Sequence, residues 1–217
     1  MSENKLLDYI QDAYTMENTA AAQLELYRDM ASAVPELKDH YQSHIDETHR
    51  HRDRMGECLR AHGAEPSSVK GALGAVASGA GSVLAHVQPD SIAMNARNAY
   101  VAEHLEIASY AMLMATARAY GDEKTIDAAR QNLNEDAAMA AWLGQHMAEI
   151  GLLALEEDGV DVPESAWNAA RDTRALMPAQ RTADEGAAQG RHDAGLTDRA
   201  TEPSLSTGVR NVMGVDW

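Results

Sequence analysis

The sequence predicts an all-α protein, a four-helix bundle with one long crossover and a C-terminal extension. Three observations predict it. Over the first two-thirds of the chain, apolar residues recur at helical spacing, while alternating or β-branched runs are scarce. Ala, Leu, Met, Glu and Gln are abundant and Phe is absent, so the core must be built from Leu, Met, Tyr, Ile and many alanines. Four acids, Glu17, Glu47, Glu106 and Glu135, fall on the stripes those helices would bury, one per helix.

The first helix is expected from Ser2 or Glu3 to Ala33, with Ser2 as a possible N-cap and Pro35 marking the break. The second starts near Pro35, a good first-turn residue, and stops near Gly63. The third follows Pro89-Asp90-Ser91 and runs to Gly121, and the fourth runs from Asp122 to Gly151. Tight links join one to two and three to four, so each pair should form an antiparallel hairpin. The link from Gly63 to Asp90 is long, with a short helix expected over Val69 to His86. A link of that length fits the single crossover of a ferritin-like bundle. Residues 1–151 thus form the bundle domain and 152–177 a further amphipathic helix, with Trp167, Ala170 and Leu176 on one side. Residues 178–217 read as a disordered tail with a short apolar end, VRNVMGVDW.

The net charge of −16 and a pI near 4.8 argue against a nucleic-acid surface, which needs clustered Lys and Arg, and could attract cations. The first residues carry early acids and no long apolar run, so no signal peptide is expected. The Gly/Ala segment from Gly71 to Val87 is too weakly hydrophobic to span a bilayer. The single cysteine, Cys58, falls on an inner stripe and suits a reducing compartment, so a cytoplasmic location is expected.

The acids carry the functional expectation. A carboxylate on a core stripe is costly unless its charge is compensated. At roughly 100° per residue, Leu6, Ile10, Ala13, Ala20, Ala21 and Leu24 surround Glu17. Ala99, Ala102, Tyr110, Leu113 and Ala117 surround Glu106, and Ala128, Met139, Trp142 and His146 surround Glu135. His40, His44, His51 and Cys58 share the stripe of Glu47. The nearest inward bases, Arg28 and Arg54, are too few to neutralise four acids. Shared cations are the alternative, and carboxylates supplemented by imidazole suit iron or manganese.

The usual di-metal pattern pairs a Glu with a His three residues on. Here Arg50 follows Glu47 and Ala138 follows Glu135 at that distance. His51, four residues after Glu47, points the same way and is the best imidazole candidate, and Glu103 leans toward the side of Glu106. His44, three before Glu47, is a second imidazole candidate, with a hydrogen-bonded partner role as the plainer alternative, and Tyr14 and Tyr110 are expected as hydrogen-bond partners of the ligands, with core packing as theirs. Asp136 is expected off the inner stripe and solvated. The run HIDETHRHRDR lacks the His-Glu-x-x-His of a zinc protease, and no phosphate loop or nucleophile elbow occurs. No catalytic residue is assigned.

Four segments carry a family resemblance: YTMENTAAAQL from Tyr14, PELKDHYQSHIDETHRHRDRM from Pro35, EHLEIASYAML from Glu103 and LNEDAAMAAWL from Leu133. The chain resembles the YciE/YciF-type ferritin-like proteins over residues 3–150. The resemblance implies a dimeric ferritin-like bundle with a di-iron type centre and a link to bacterial stress responses. By the same resemblance Glu17, Glu47, Glu103, Glu106 and Glu135 match acidic positions, while His51 stands where the family often has Gln and Ala140 where it often has Asp. The expected function is a di-metal carboxylate protein that oxidises Fe(II) or handles oxygen or peroxide. The alternative is a scaffold that docks a protein partner through the tail, with a storage cage a weaker third.

Overall fold

The computed structural model describes residues 3–67 and 92–176, and all its regular elements there are helices. They are α1 (Glu3–Met30), α2 (Pro35–Ala61), α3 (Ile92–Tyr120), α4 (Glu123–Glu157) and α5 (Glu164–Leu176). The expected short helix in the crossover and the expected tail lie outside the described residues. None of the described helices is long and apolar enough to cross a membrane.

Local chemistry sets the helix ends. Pro35 occupies the first turn of α2, where its missing N–H costs nothing. α1 stops at Met30, short of the expected Ala33, because the Ala31 and Val34 amides already close a turn onto Tyr27, Arg28 and Ala31 carbonyls. Between α3 and α4, Gly121 takes φ +70°, and the Asp122 and Gly121 amides bond back to Ala117 and Arg118. Asp122 then caps α4 by accepting from the Thr125 amide at 3.2 Å. The expectation that α4 ends at Gly151 is wrong. Gly151 sits inside the helix, and the left-handed residue is Gly159, φ +80°, with Val160 N–H bonded to the Leu155 carbonyl. α5 packs on α4 and buries Ala170.

α1 pairs with α2 and α3 with α4, and the hairpins meet along two seams, α1–α3 and α2–α4. One end of the bundle is apolar, with Leu24, Tyr27, Leu37, Tyr41, Ile45, Ala96, Met139, Leu143 and Ile150 in one cluster. Toward the other end Leu6, Ile10, Met55, Leu59, Leu113 and Ile126 are buried, as is Cys58, whose thiol burial pushes up. His62 and Asp122 pin that end at 2.8 Å. Between these apolar ends lies a layer of buried polar side chains.

Candidate metal centre

Every bundle helix contributes to this layer. α1 supplies Glu17, fully buried among Ile10, Ala13, Ala20, Ala21 and Leu24, as the helical wheel predicts. α2 supplies His44 and His51, whose seven-residue spacing returns them to one face after two turns. α3 supplies Glu103, Glu106 and Tyr110, and α4 supplies Asn132 and Asp136, all at 2% exposure or less.

The interior atoms converge. His44 Nε2 lies 3.1 Å from Glu103 Oε2 and 3.9 Å from Asp136 Oδ1. His51 Nδ1 lies 3.4 Å from Glu17 Oε2 and 3.3 Å from Asp136 Oδ1. Two overlapping sets result, His44, Glu103, Glu106 and Asp136 in one, and Glu17, His51 and Asp136 in the other. Within each set the donor atoms lie no more than 4.8 Å apart, and Asp136 belongs to both.

The outward nitrogen of each imidazole has a carboxylate behind it. His44 Nδ1 meets Glu47 Oε2 at 2.9 Å, and His51 Nε2 meets Glu135 Oε2 at 2.7 Å. These two glutamates stand at the rim, with side chains 30% and 22% exposed. Arg54 donates to both Glu135 oxygens and to Asn132 Oδ1, while Gln131 also holds Glu135. Asn132 donates to the Tyr110 hydroxyl at 2.8 Å, and that hydroxyl donates to Glu17 Oε1.

Electrostatics separate the rim from the interior. The hydrogen bond from His44 lowers Glu47 despite its partial burial. Burial opposes the shift at Glu135, but His51, Arg54 and Gln131 pull it down to about 2. Inside, burial and the charges of Glu17, Glu103 and Asp136 push Glu106 well above the usual carboxylate range. Burial does the same to Asp136, with Glu17 and Glu103 adding to it against the two imidazoles. Burial alone would lower His51, yet the hydrogen bond to Glu135 and the nearby charges of Glu17 and Asp136 lift it to about 9. Glu103, Glu47 and Asp136 likewise lift His44 against its burial.

A set of buried atoms makes no hydrogen bond: Glu17 Oε2, His44 Nε2, His51 Nδ1, Glu103 Oε2 and both Asp136 oxygens. Buried polar atoms are normally paired. These face one another across a small volume and comprise carboxylate oxygens and imidazole nitrogens, the donor set that suits iron or manganese. The residues present therefore fit a metal centre.

The structure rearranges the expected roles. Glu17, His51, Glu103 and Glu106 meet at the cluster. Glu47 and Glu135 touch it only through the histidines. His44, expected as a second imidazole candidate or a partner of the ligands, faces the interior with Nε2. Tyr110 holds Glu17, whereas Tyr14 packs beside Gly56 of α2. His40 stacks on Trp142 with ring centroids 3.7 Å apart.

The expectation that Asp136 is solvated is overturned, since it is 0% exposed. α4 buries Ala129, Asn132, Leu133, Ala137, Ala140 and Leu143, and Asp136 is the middle of that stripe. Glu135 lies about 100° around the helix from it. The Asn132–Asp136–Ala140 spacing carried that signal, but in an alanine-rich helix a neighbouring stripe through Met139 and Trp142 competes with it.

Comparison with known proteins agrees with this architecture. A Xanthomonas campestris protein of known structure aligns with a TM-score of 0.61 and 25% identity, covering 73% of this chain and 99% of that one. The Escherichia coli stress protein YciF aligns with a TM-score of 0.56 and 21% identity, covering 69% and 96%, and shows the shared fold. The family described as Domain of unknown function (DUF892) matches residues 2–155. With most of its length and the whole bundle matched, this chain belongs to that family, the one of the YciE/YciF-type ferritin-like proteins.

Proposed function

We propose that the buried layer is a di-metal carboxylate centre, with iron as the metal and manganese the nearest substitute. One observation carries the reading. Partnerless buried atoms from all four bundle helices converge in two sets that share Asp136. Glu17, His51 and Asp136 would hold one ion, and His44, Glu103, Glu106 and Asp136 the other. Two divalent cations would balance the four carboxylates and leave both imidazoles neutral.

Bound iron would supply one-electron chemistry toward dioxygen or a peroxide. The chain's own residues do the rest. Glu47 and Glu135 accept hydrogen bonds from the outward imidazole nitrogens, which fixes the ring orientation and raises ligand basicity. Tyr110 and Asn132 fix the Glu17 carboxylate. The apolar ends keep bulk water from the layer, so its charges act at low dielectric. A role in a bacterial stress response, in the reducing cytoplasm, is part of the same reading. The stress role is supported by the stress-protein name of the Escherichia coli relative, and the reducing compartment by the lone buried thiol of Cys58.

Anaerobic loading of the purified chain with Fe(II), followed by elemental analysis, tests this. About two irons per chain are expected, with a colour change on oxygenation. A chain that takes up neither iron nor manganese ends the proposal.

A further inference from the structure

The outward nitrogens of the two imidazoles are held in different ways. Behind His44 stands Glu47, one turn on along the same helix. Among the described residues, the guanidinium that reaches Glu47 is that of Arg50, at 3.9 Å and with its side chain 55% exposed. Behind His51 stands Glu135, across the α2–α4 seam. There Arg54 donates to both Glu135 oxygens, at 3.0 and 3.2 Å. One imidazole is braced within its own helix, and the other by a neighbouring one.

Helical spacing builds the second brace. His51 and Arg54 lie three residues apart on α2, as do Asn132 and Glu135 on α4, so each pair shares a face. Arg54 Nη1 also donates to Asn132 Oδ1 at 2.7 Å. Asn132 Nδ2 then reaches the Tyr110 hydroxyl at 2.8 Å and the His51 carbonyl at 3.5 Å. The Tyr110 hydroxyl donates to Glu17 Oε1. From one guanidinium, two routes therefore end on two donors, His51 through Glu135, and Glu17 through Asn132 and Tyr110. Both donors belong to the same set, with Asp136 as its third member.

We propose that Arg54 is a positioning residue for one ion of the pair, the one held by Glu17, His51 and Asp136, and that it makes the two ions inequivalent. The inference rests on the di-metal reading. Three acceptors, two on Glu135 and one on Asn132, must be met from one point, which suits the fixed fork of a guanidinium. An ammonium supplies the same charge without that geometry. With the fork in place, His51 Nδ1 and Glu17 Oε2 already face each other at 3.4 Å, and His51 Nδ1 lies 3.3 Å from Asp136. Ligands set in advance lose less freedom on binding. The other ion draws on a His44 braced within α2 and on Glu103 and Glu106 of α3.

The test is Arg54→Lys, which keeps the charge and removes the fork. Attraction for a cation is held constant while orientation is lost. Crystals of the full chain, wild type and variant, are equilibrated in buffers of stepped free zinc. Anomalous peak heights at the zinc edge then give the half-occupancy of each ion separately. In the variant, the ion at Glu17, His51 and Asp136 should need about 10- to 100-fold more free zinc, the usual cost of losing an outer partner. The ion at His44, Glu103 and Glu106 should keep its wild-type value. A general loosening of the fold would weaken both alike. Equal losses at both, or no loss at either, overturn this inference and leave the di-metal reading standing. A wild-type chain that binds no zinc, iron or manganese defeats the two together.

Zinc-loaded wild-type crystals give a second measurement, which decides alone if Arg54→Lys does not fold. With both ions in place, Arg54 should still bond Glu135 and Asn132, and Tyr110 should still bond Glu17. A Glu135 that has left Arg54, or an Asn132 turned away from it, overturns the inference.

Discussion

Along the α2–α4 seam, the buried layer meets charge. Glu47 and Glu135 reach solvent there, and Arg54 grips Glu135. Along the α1–α3 seam the same layer meets three alanines, Leu24, Tyr27 and the amide of Gln23. The rim glutamates are lowered because histidine and arginine donate to them. Glu106 and Asp136 are raised because burial and like charges surround them. Carboxylates a few ångströms apart thus carry opposite shifts, set by whether a cationic donor or another acid stands opposite. The rim resolves its charge with protein groups, and the interior needs a cation or a proton.

The neighbouring residues Asp136 and Glu135 give the largest expected contrast. Asp136→Asn removes the carboxylate common to both donor sets, so uptake of both metals should be lost. Glu135→Gln removes only the carboxylate behind His51, and such outer partners cost about 10- to 100-fold in affinity. Competitive titration with a chelating indicator would read both. Equal losses from the two variants would erase the distinction between rim and interior.

The fold was legible because helix starts and stops are local chemistry. Pro35, Gly121 and Asp122 act as their types predict. Gly151 misled because a glycine ends a helix only where a left-handed residue is wanted, and α4 continues to pack beyond it. The site was legible in part. Glu17 and Glu106 lie on unambiguous stripes, since each has alanine or larger apolar neighbours on both sides. The expectation of a solvated Asp136 failed because α4 buries two adjoining surfaces, one toward the cluster and one where Trp142 stacks between His40 and His146. Periodicity alone does not rank such stripes. The facing of His44 depends on the partners at its two nitrogens, Glu47 and Glu103, and the latter belongs to another helix.

The same contrast predicts how stability changes with pH. In the metal-free chain His51 titrates at about 9, against roughly 6.5 when unfolded. Its contribution is complete below about pH 6.5 and is lost as pH rises through 9. Glu106 and Asp136 act in the same direction, since their raised values favour the protonated, acidic side. Glu135, at about 2 when folded, and Glu47 contribute above roughly pH 4.5 and lose that contribution as pH falls. Melting of the metal-free chain should therefore peak in mildly acidic solution and decline toward pH 9.5. Bound zinc requires deprotonated ligands, so it should reverse the slope between pH 6 and 8. Calorimetric scans with chelator and with zinc check both limbs, and a metal-free Tm that climbs from pH 6 to 9 contradicts the assignment.

The smallest expected effect lies on the chain of contacts that crosses between the two regions, from Arg54 through Asn132 and Tyr110 to Glu17. Tyr110→Phe deletes one hydroxyl from a fully buried ring and leaves almost no void. It unpairs Glu17 Oε1 and takes from Asn132 Nδ2 the shorter of its two acceptors, the His51 carbonyl at 3.5 Å remaining, a loss of about 1–3 kcal/mol in denaturant unfolding of the metal-free chain. With metal bound, a cation compensates the Glu17 carboxylate and only the weakened Asn132 donor is affected. The cost should then shrink toward the lower end of that range. Glu17 is the acid that α1 supplies to the layer, so this difference reports directly on whether a cation reaches the α1 side. An equal cost in both states would show that Glu17 relies on Tyr110 alone, and would confine the metal to His44, Glu103, Glu106 and Asp136.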